Sequence, residues 1–256
     1  MNILHSRIIG EGQPLLILHG YFGMGDNWKS LANKYAENFE VHLIDQRNHG
    51  RSFHTDDFDI ELMVDDLHNY IKHYQLKKVN LMGHSMGGKT VMFFAVEYPD
   101  FVDKLIVVDI SPRMYPPHHH EILDALNSVD FSIQTTRKLV DEKLAERISE
   151  IGIRQFLLKN VYWKEKGQLG YRFNLESLTE NSDEVGVALP SFTNFNGNTL
   201  FLKGGNSGYI SKDDASLINA HFPKATIYTI AKTGHWLHAE NPLEFYTVTA
   251  EFLLKN

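Results

Sequence analysis

The sequence predicts an α/β protein: a mostly parallel, doubly wound sheet with a helical cap inserted after the strand that ends at Asp109. Three observations carry this. From Pro14 to Asp109 short apolar runs alternate with amphipathic helical stretches, the rhythm of parallel strands joined by helical crossovers. Gly83-His84-Ser85-Met86-Gly87 lies between an apolar run, Val79 to Met82, and a helical stretch, so a G-x-S-x-G pattern sits in strand-turn-helix context. Finally, from Pro112 to about Leu189 no clear strand run appears, and strand patterns return only at Thr199. The expected division is a core of residues 1–111 and 190–256 with a cap of residues 112–189.

Taken in order, Pro14 to Leu18 and Val41 to Asp45 are apolar runs that end in polar loops, as buried parallel strands do. Between them, Asp26 to Glu37 places Trp28, Leu31 and Tyr35 at helical spacing, and Ile60 to Tyr74 repeats that behaviour. Met86 to Glu97 continues as a helix ended by Pro99, and Lys104 to Asp109 is the next strand. Within the cap, helices are predicted at His119 to Asn127, Thr135 to Ile148 and Ile153 to Asn160. Strands then return at Thr199 to Lys203 and Thr226 to Ile230, with helices at Ser211 to His221 and Pro242 to Leu254.

A chain of 256 residues can bury one large core and is long enough for a complete enzyme. Its net charge of -7, with no lysine- or arginine-rich block, argues against nucleic-acid binding. Cysteine is absent, which excludes disulfides, thiolate nucleophiles and cysteine zinc sites. Met1 to Gln13 carries no apolar leader core and no segment is long enough to span a bilayer, so a cytoplasmic protein is expected. Nothing in the pattern fixes an oligomeric state.

A serine hydroxyl is a weak nucleophile unless it is exposed at a turn beside a base and oxyanion-stabilising amides. Ser85 occupies such a turn, and the small residues Gly83, Gly87 and Gly88 suit its tightness. A base is expected after the last strand, and His235 in Gly234-His235-Trp236 fits better than its rival His238, one turn further on. For the acid, the window after the cap reads Gly204-Gly205-Asn206-Ser207, which holds no carboxylate. Asp109, at the end of the strand after the nucleophile helix, keeps the order Ser, Asp, His; Asp213 and Asp214 are the weaker rivals, as helix-capping groups.

Two backbone amides should hold the oxyanion, that of Met86 and that of Tyr21 in His19-Gly20-Tyr21-Phe22-Gly23. In Asp45-Gln46-Arg47-Asn48-His49-Gly50, an Asp45 to Arg47 pair is expected to brace the loop. The run His118-His119-His120-Glu121 is read as solvated, since consecutive side chains diverge, and neither metal nor cofactor is expected. Phe22, Met114, Tyr115, Phe156, Trp163 and Trp236 are candidate pocket residues; Met114, Tyr115, Phe156, Trp163 and Phe173 could equally form the cap's own core.

Together these motifs, with Val108-Asp109-Ile110 and Phe156-Leu157-Leu158-Lys159, resemble the α/β-hydrolase superfamily, and more narrowly the YbfF-type esterases and related mammalian abhydrolase-domain proteins. The resemblance spans nearly the whole chain. It implies a triad of Ser85, Asp109 and His235, an auxiliary role for Ser207, and hydrolysis of small-molecule carboxylic esters or acyl thioesters, including acyl-CoA, beneath a helical cap. Rival readings on the same fold are a triad-based lyase or carbon-carbon hydrolase and a non-catalytic ligand sensor.

Overall fold

The computed structural model describes residues 2–117 and 119–255. Its centre is a seven-stranded sheet ordered β1-β3-β2-β4-β5-β8-β9. The strands are β1 (Ser6–Ile9), β2 (Gln13–Leu18), β3 (Phe39–Ile44), β4 (Val79–His84), β5 (Val102–Val108), β8 (Asn198–Gly204) and β9 (Ala225–Ile230). All neighbours run parallel except β1, which pairs antiparallel with β3. The crossovers are α1 (Lys29–Tyr35), α2 (Ile60–His73), α3 (Met86–Glu97) and α8 (Asp214–His221), and the chain closes with α9 (Leu237–Glu240) and α10 (Pro242–Leu254).

The central strands read as unbroken apolar runs because helices cover both faces. Alternate residues point to opposite faces, and the core divides accordingly. Leu15, Ile17, Leu43, Met82, Ile106 and Val108 pack with Trp28, Leu31, Tyr35, Phe245 and Leu253. Leu16, Leu18, Ile44, Leu81, Leu105 and Val107 pack against Met63, Leu67, Tyr70, Val91 and Phe94 on the other side. Asp59 caps α2 by accepting from the Leu62 amide at 2.7 Å. Short β1, with no buried residue, left no apolar run to detect in the sequence, as befits an edge strand.

Between β5 and β8 come α4 (His120–Asn127), α5 (Arg137–Ala145), α6 (Ile151–Leu158), a hairpin of β6 (Val161–Glu165) and β7 (Gln168–Tyr171), and α7 (Leu175–Glu180). The hairpin corrects the expectation of a strand-free insertion. Its strands are short and turn at Lys166-Gly167, where glycine takes φ +85°. Also unanticipated was α7, whose cap is Asn174.

This segment leaves and rejoins the core through two neck strands that bond to each other. The Tyr115 amide donates to Gly186 O and the Leu189 amide to Pro112 O, both at 2.8 Å. Fully buried Lys89, on α3, clamps both strands: its Nζ donates to Arg113 O at 2.6 Å and to Val187 O at 2.7 Å. Lys89→Met leaves two partly buried carbonyls without that donor, each costing up to about 1–3 kcal/mol. Urea unfolding should therefore show a loss of about 2–5 kcal/mol, with faster amide exchange at the neck.

Candidate active site

Ser85 is the single residue between β4 and α3 and sits at φ 53°, ψ −117°, a backbone region that non-glycine residues rarely adopt. The turn is too tight for side chains around it. A Cβ on Gly83 would lie 2.1 Å from Gly87 O, one on Gly87 2.5 Å from Leu18 O, and one on Gly88 2.5 Å from the Ile110 side chain. Tyr21 and Met86, the two residues expected to offer amides, both line the smaller cavity at Ser85. Met86 opens α3, so its N–H has no acceptor within the helix and lies at the positive end of the helix dipole.

Tyr21 belongs to the loop after β2, which several contacts hold in place. The Phe22 amide donates to His49 Nε2 at 3.2 Å, Gln46 Nε2 donates to His19 O at 2.8 Å, and Asn160 Nδ2 donates to Phe22 O at 2.8 Å. The Tyr21 hydroxyl donates to Leu178 O. The segment between β5 and β8 thus grips this loop at two points.

Asp109 follows β5, is wholly buried and stands at φ 51°. Its Oδ2 receives His235 Nδ1 at 2.8 Å and the Ser207 hydroxyl, while Oδ1 accepts the Gly204 amide at 3.0 Å. A carboxylate on Nδ1 fixes the proton there and leaves Nε2 as the basic nitrogen. The His235 ring stacks on Tyr209 with 3.8 Å between centroids, and its backbone carbonyl receives His84 Nε2 at 2.9 Å. Ser207, in the window that lacks a carboxylate, thus donates to Asp109 from the end of the next strand.

The rivals have other partners, although His238 lines the same cavity as Ser85 and His235. His238 is stacked on Trp28 at 4.1 Å, buried, with its Nδ1 unpartnered among the described residues. Asp213 is exposed, and Asp214 accepts from Ser111 Oγ and the Ser211 amide and pairs with Arg113 at 3.1 Å. The expected Asp45–Arg47 pair is corrected: Arg47 reaches α2 and holds Asp66 through Nε at 2.6 Å and Nη2 at 3.0 Å. Asp45 instead accepts the Gly25 and Arg51 amides, so each side chain braces the loop from a different side.

Two cavities open at Ser85. The larger, about 220 Å3, is bounded by Phe22, Phe156, Trp236 and His235 among others; the smaller, about 20 Å3, by Met86, Ile110, Tyr115 and Val185. Met114 and Trp163 line neither, which corrects their choice as pocket residues. They are 66% and 60% exposed, Met114 on the neck and Trp163 on the hairpin. Phe173 is buried against Phe22 and Tyr171. His118 lies outside the described residues, His119 lines both cavities, and His120 and Glu121 are exposed. Sequence reasoning missed His84, Tyr209, Trp28, Ile122, Ile153 and Leu157; the first was visible as the variable residue of the serine pentapeptide, and Tyr209 as an aromatic just beyond Ser207.

The site is rich in neutral imidazole. Burial pushes His19 down to about 4 and His49 and His238 to about 3, and lowers His84 well below its ordinary range. A base whose folded pKa is depressed stays unprotonated in the fold while the unfolded chain takes up a proton below about 6.5. Stability from these groups is complete above that pH and lost as pH falls toward 4, by up to about 1.4 kcal/mol per pH unit for each histidine. Melting temperature should hold from pH 8 to 7 and drop steeply below pH 6; a level profile down to pH 4.5 would contradict this.

Comparison with known proteins adds to the geometry. Residues 13–150 match the family model described as the alpha/beta hydrolase fold. The chain is 38% identical to an sn-1-specific diacylglycerol lipase of Danio rerio, over 99% of this chain and 83% of that protein. It is 35% identical to esterase YbfF of Escherichia coli, over 91% and 89%. A solved structure titled marine microorganism esterase superposes with a TM-score of 0.96 at 45% identity, covering 98% of this chain and 100% of that one.

Proposed function

The chain belongs to the α/β-hydrolase family, among relatives named esterases and lipases, and from that premise we propose that it is a serine hydrolase of carboxylic esters, with acyl thioesters as a second substrate class. One observation carries the reading: Ser85, strained at φ 53° between a strand and a helix, shares a cavity with His235, whose Nδ1 lies 2.8 Å from buried Asp109. In this reading His235 Nε2 takes the Ser85 proton as Oγ attacks the carbonyl carbon, and the amides of Tyr21 and Met86 receive the developing oxyanion. Asp109 holds the ring in its tautomer and stabilises the imidazolium. His235 then protonates the leaving oxygen or sulfur, and water attacks the acyl-enzyme under the same base.

Ser207 and Gly204 act through Asp109, by donating to its two carboxylate oxygens and keeping it aimed. The segment of residues 112–189 serves as a cap: α4 and α6 supply Ile122, Ile153, Phe156 and Leu157 to the wall of the larger cavity. The test is a fluorophosphonate probe on the intact protein. Ser85 should be labelled stoichiometrically, with simultaneous loss of p-nitrophenyl acetate hydrolysis; an unlabelled serine in an inactive protein would favour a ligand-binding role.

A further inference from the structure

The two cavities at Ser85 differ about tenfold in volume, and only the larger contains His235. That asymmetry bears on which half of an ester goes where. In acyl transfer the leaving oxygen must take a proton from the imidazole, so the leaving group lies on the His235 side. The carbonyl oxygen points to the oxyanion amides. One direction remains for the acyl substituent, and the small cavity, lined by Met86 and not by His235, is the space assigned to it.

Its size is restrictive. A single water needs about 10–15 Å3 of such space, so about 20 Å3 takes a methyl group or slightly more. The walls cannot readily give. Gly186 has no room even for a Cβ, which would lie 2.2 Å from Tyr115 O. Tyr115 is bonded to Gly186 through its amide, and its hydroxyl donates to Tyr209 O and accepts the Ser111 amide. The Lys89 clamp holds the same neck from below. By contrast the larger cavity, about 220 Å3, exceeds the roughly 150 Å3 that accommodates benzene in an apolar protein cavity. Its walls include Trp28, Phe22, Phe156 and Trp236.

We propose that the enzyme selects short-acyl esters, acetyl or propionyl, of bulky apolar alcohols, an inference that rests on the serine-hydrolase reading above. The neck residues Tyr115, Val185 and Gly186 set one side of the acyl limit, and Met86, Ile110 and Tyr209 complete it. The leaving-group side is permissive because it is bounded by side chains of α6 and the His235 loop.

The test uses two substrate series on the intact protein. With p-nitrophenol held constant, kcat/KM should fall about a hundredfold from acetate to hexanoate, within the range by which a tight apolar pocket rejects added methylenes. With acetate held constant, kcat/KM should rise about tenfold or more from ethyl to benzyl ester. Val185→Ala, which widens the small cavity, should raise the hexanoate-to-acetate ratio, and Ile153→Trp should lower the benzyl-to-ethyl ratio. A profile that is flat or rising through octanoate, with Ser85 still labelled by a fluorophosphonate, overturns the acyl assignment and leaves the serine hydrolase standing. No turnover of any ester together with no labelling overturns both.

Discussion

Ser85→Ala should reduce kcat for p-nitrophenyl acetate by about a million-fold, the loss seen when the nucleophile of a comparable triad is removed. The size follows from what remains. The oxyanion amides and the cavity survive, so water attack retains only their share, roughly a thousandfold to ten-thousandfold over solution. The fold should survive as well. Alanine keeps the Cβ that Ser85 already carries at φ 53°, and the elbow's own bonds, Ser85 N to Val108 O and Lys89 N to Ser85 O at 3.0 Å each, come from the backbone. The decisive measurements are a steady-state assay with an active-site titration to discount contaminating wild type, and a thermal melt. A variant with more than about one per cent of wild-type turnover would remove Ser85 from the covalent step.

Asp109→Asn should cost about ten-thousandfold in kcat while leaving the backbone in place. Asparagine tolerates the left-handed region at least as well as aspartate, so the φ of 51° is not a new strain. The loss is electrostatic and tautomeric. An amide cannot offset the imidazolium, and its NH2 offered to Nδ1 would shift the ring proton to Nε2, where it blocks the Ser85 hydroxyl. Turnover should recover partly at high pH, as the wrong tautomer is bypassed by hydroxide. Ser207→Ala separates the acid from its support. It removes one charge-assisted hydrogen bond, about 1.5–3 kcal/mol at most, so its loss should be nearer tenfold. Equal losses in both variants would mean that Asp109 cannot serve His235 without the Ser207 hydroxyl.

The comparison of Asp109 with its rivals shows what can be read along a chain. Aspartates 109, 213 and 214 all stand near strand or helix ends in the sequence, and each could cap or catalyse. Their chemistry separates only in space: Asp214 is occupied by Ser111, Ser211 and Arg113, whereas Asp109 meets His235 across 126 residues of chain. Arg47 makes the same point in reverse. Asp45 is two residues away, but Asp66 on α2 is the group its guanidinium reaches. Nearness in sequence was a poor guide to a bidentate pair.

Local physics lies within a few residues, so the chain alone disclosed the alternating strands and helices, α3 over Met86–Glu97, α10 over Pro242–Leu254 and the glycine-lined turn at Ser85. Apolar periodicity and backbone sterics act over one or two turns and are written where they act. The β6–β7 hairpin escaped because its strands are short and each buries a single residue, with little periodic burial to betray them. The partners of Asp109, the stacking of His238 on Trp28 and the tenfold difference between the cavities belong to the tertiary structure. Each is a distance between segments far apart in the chain, set by how seven strands stagger and how one neck closes, and no window of sequence contains it.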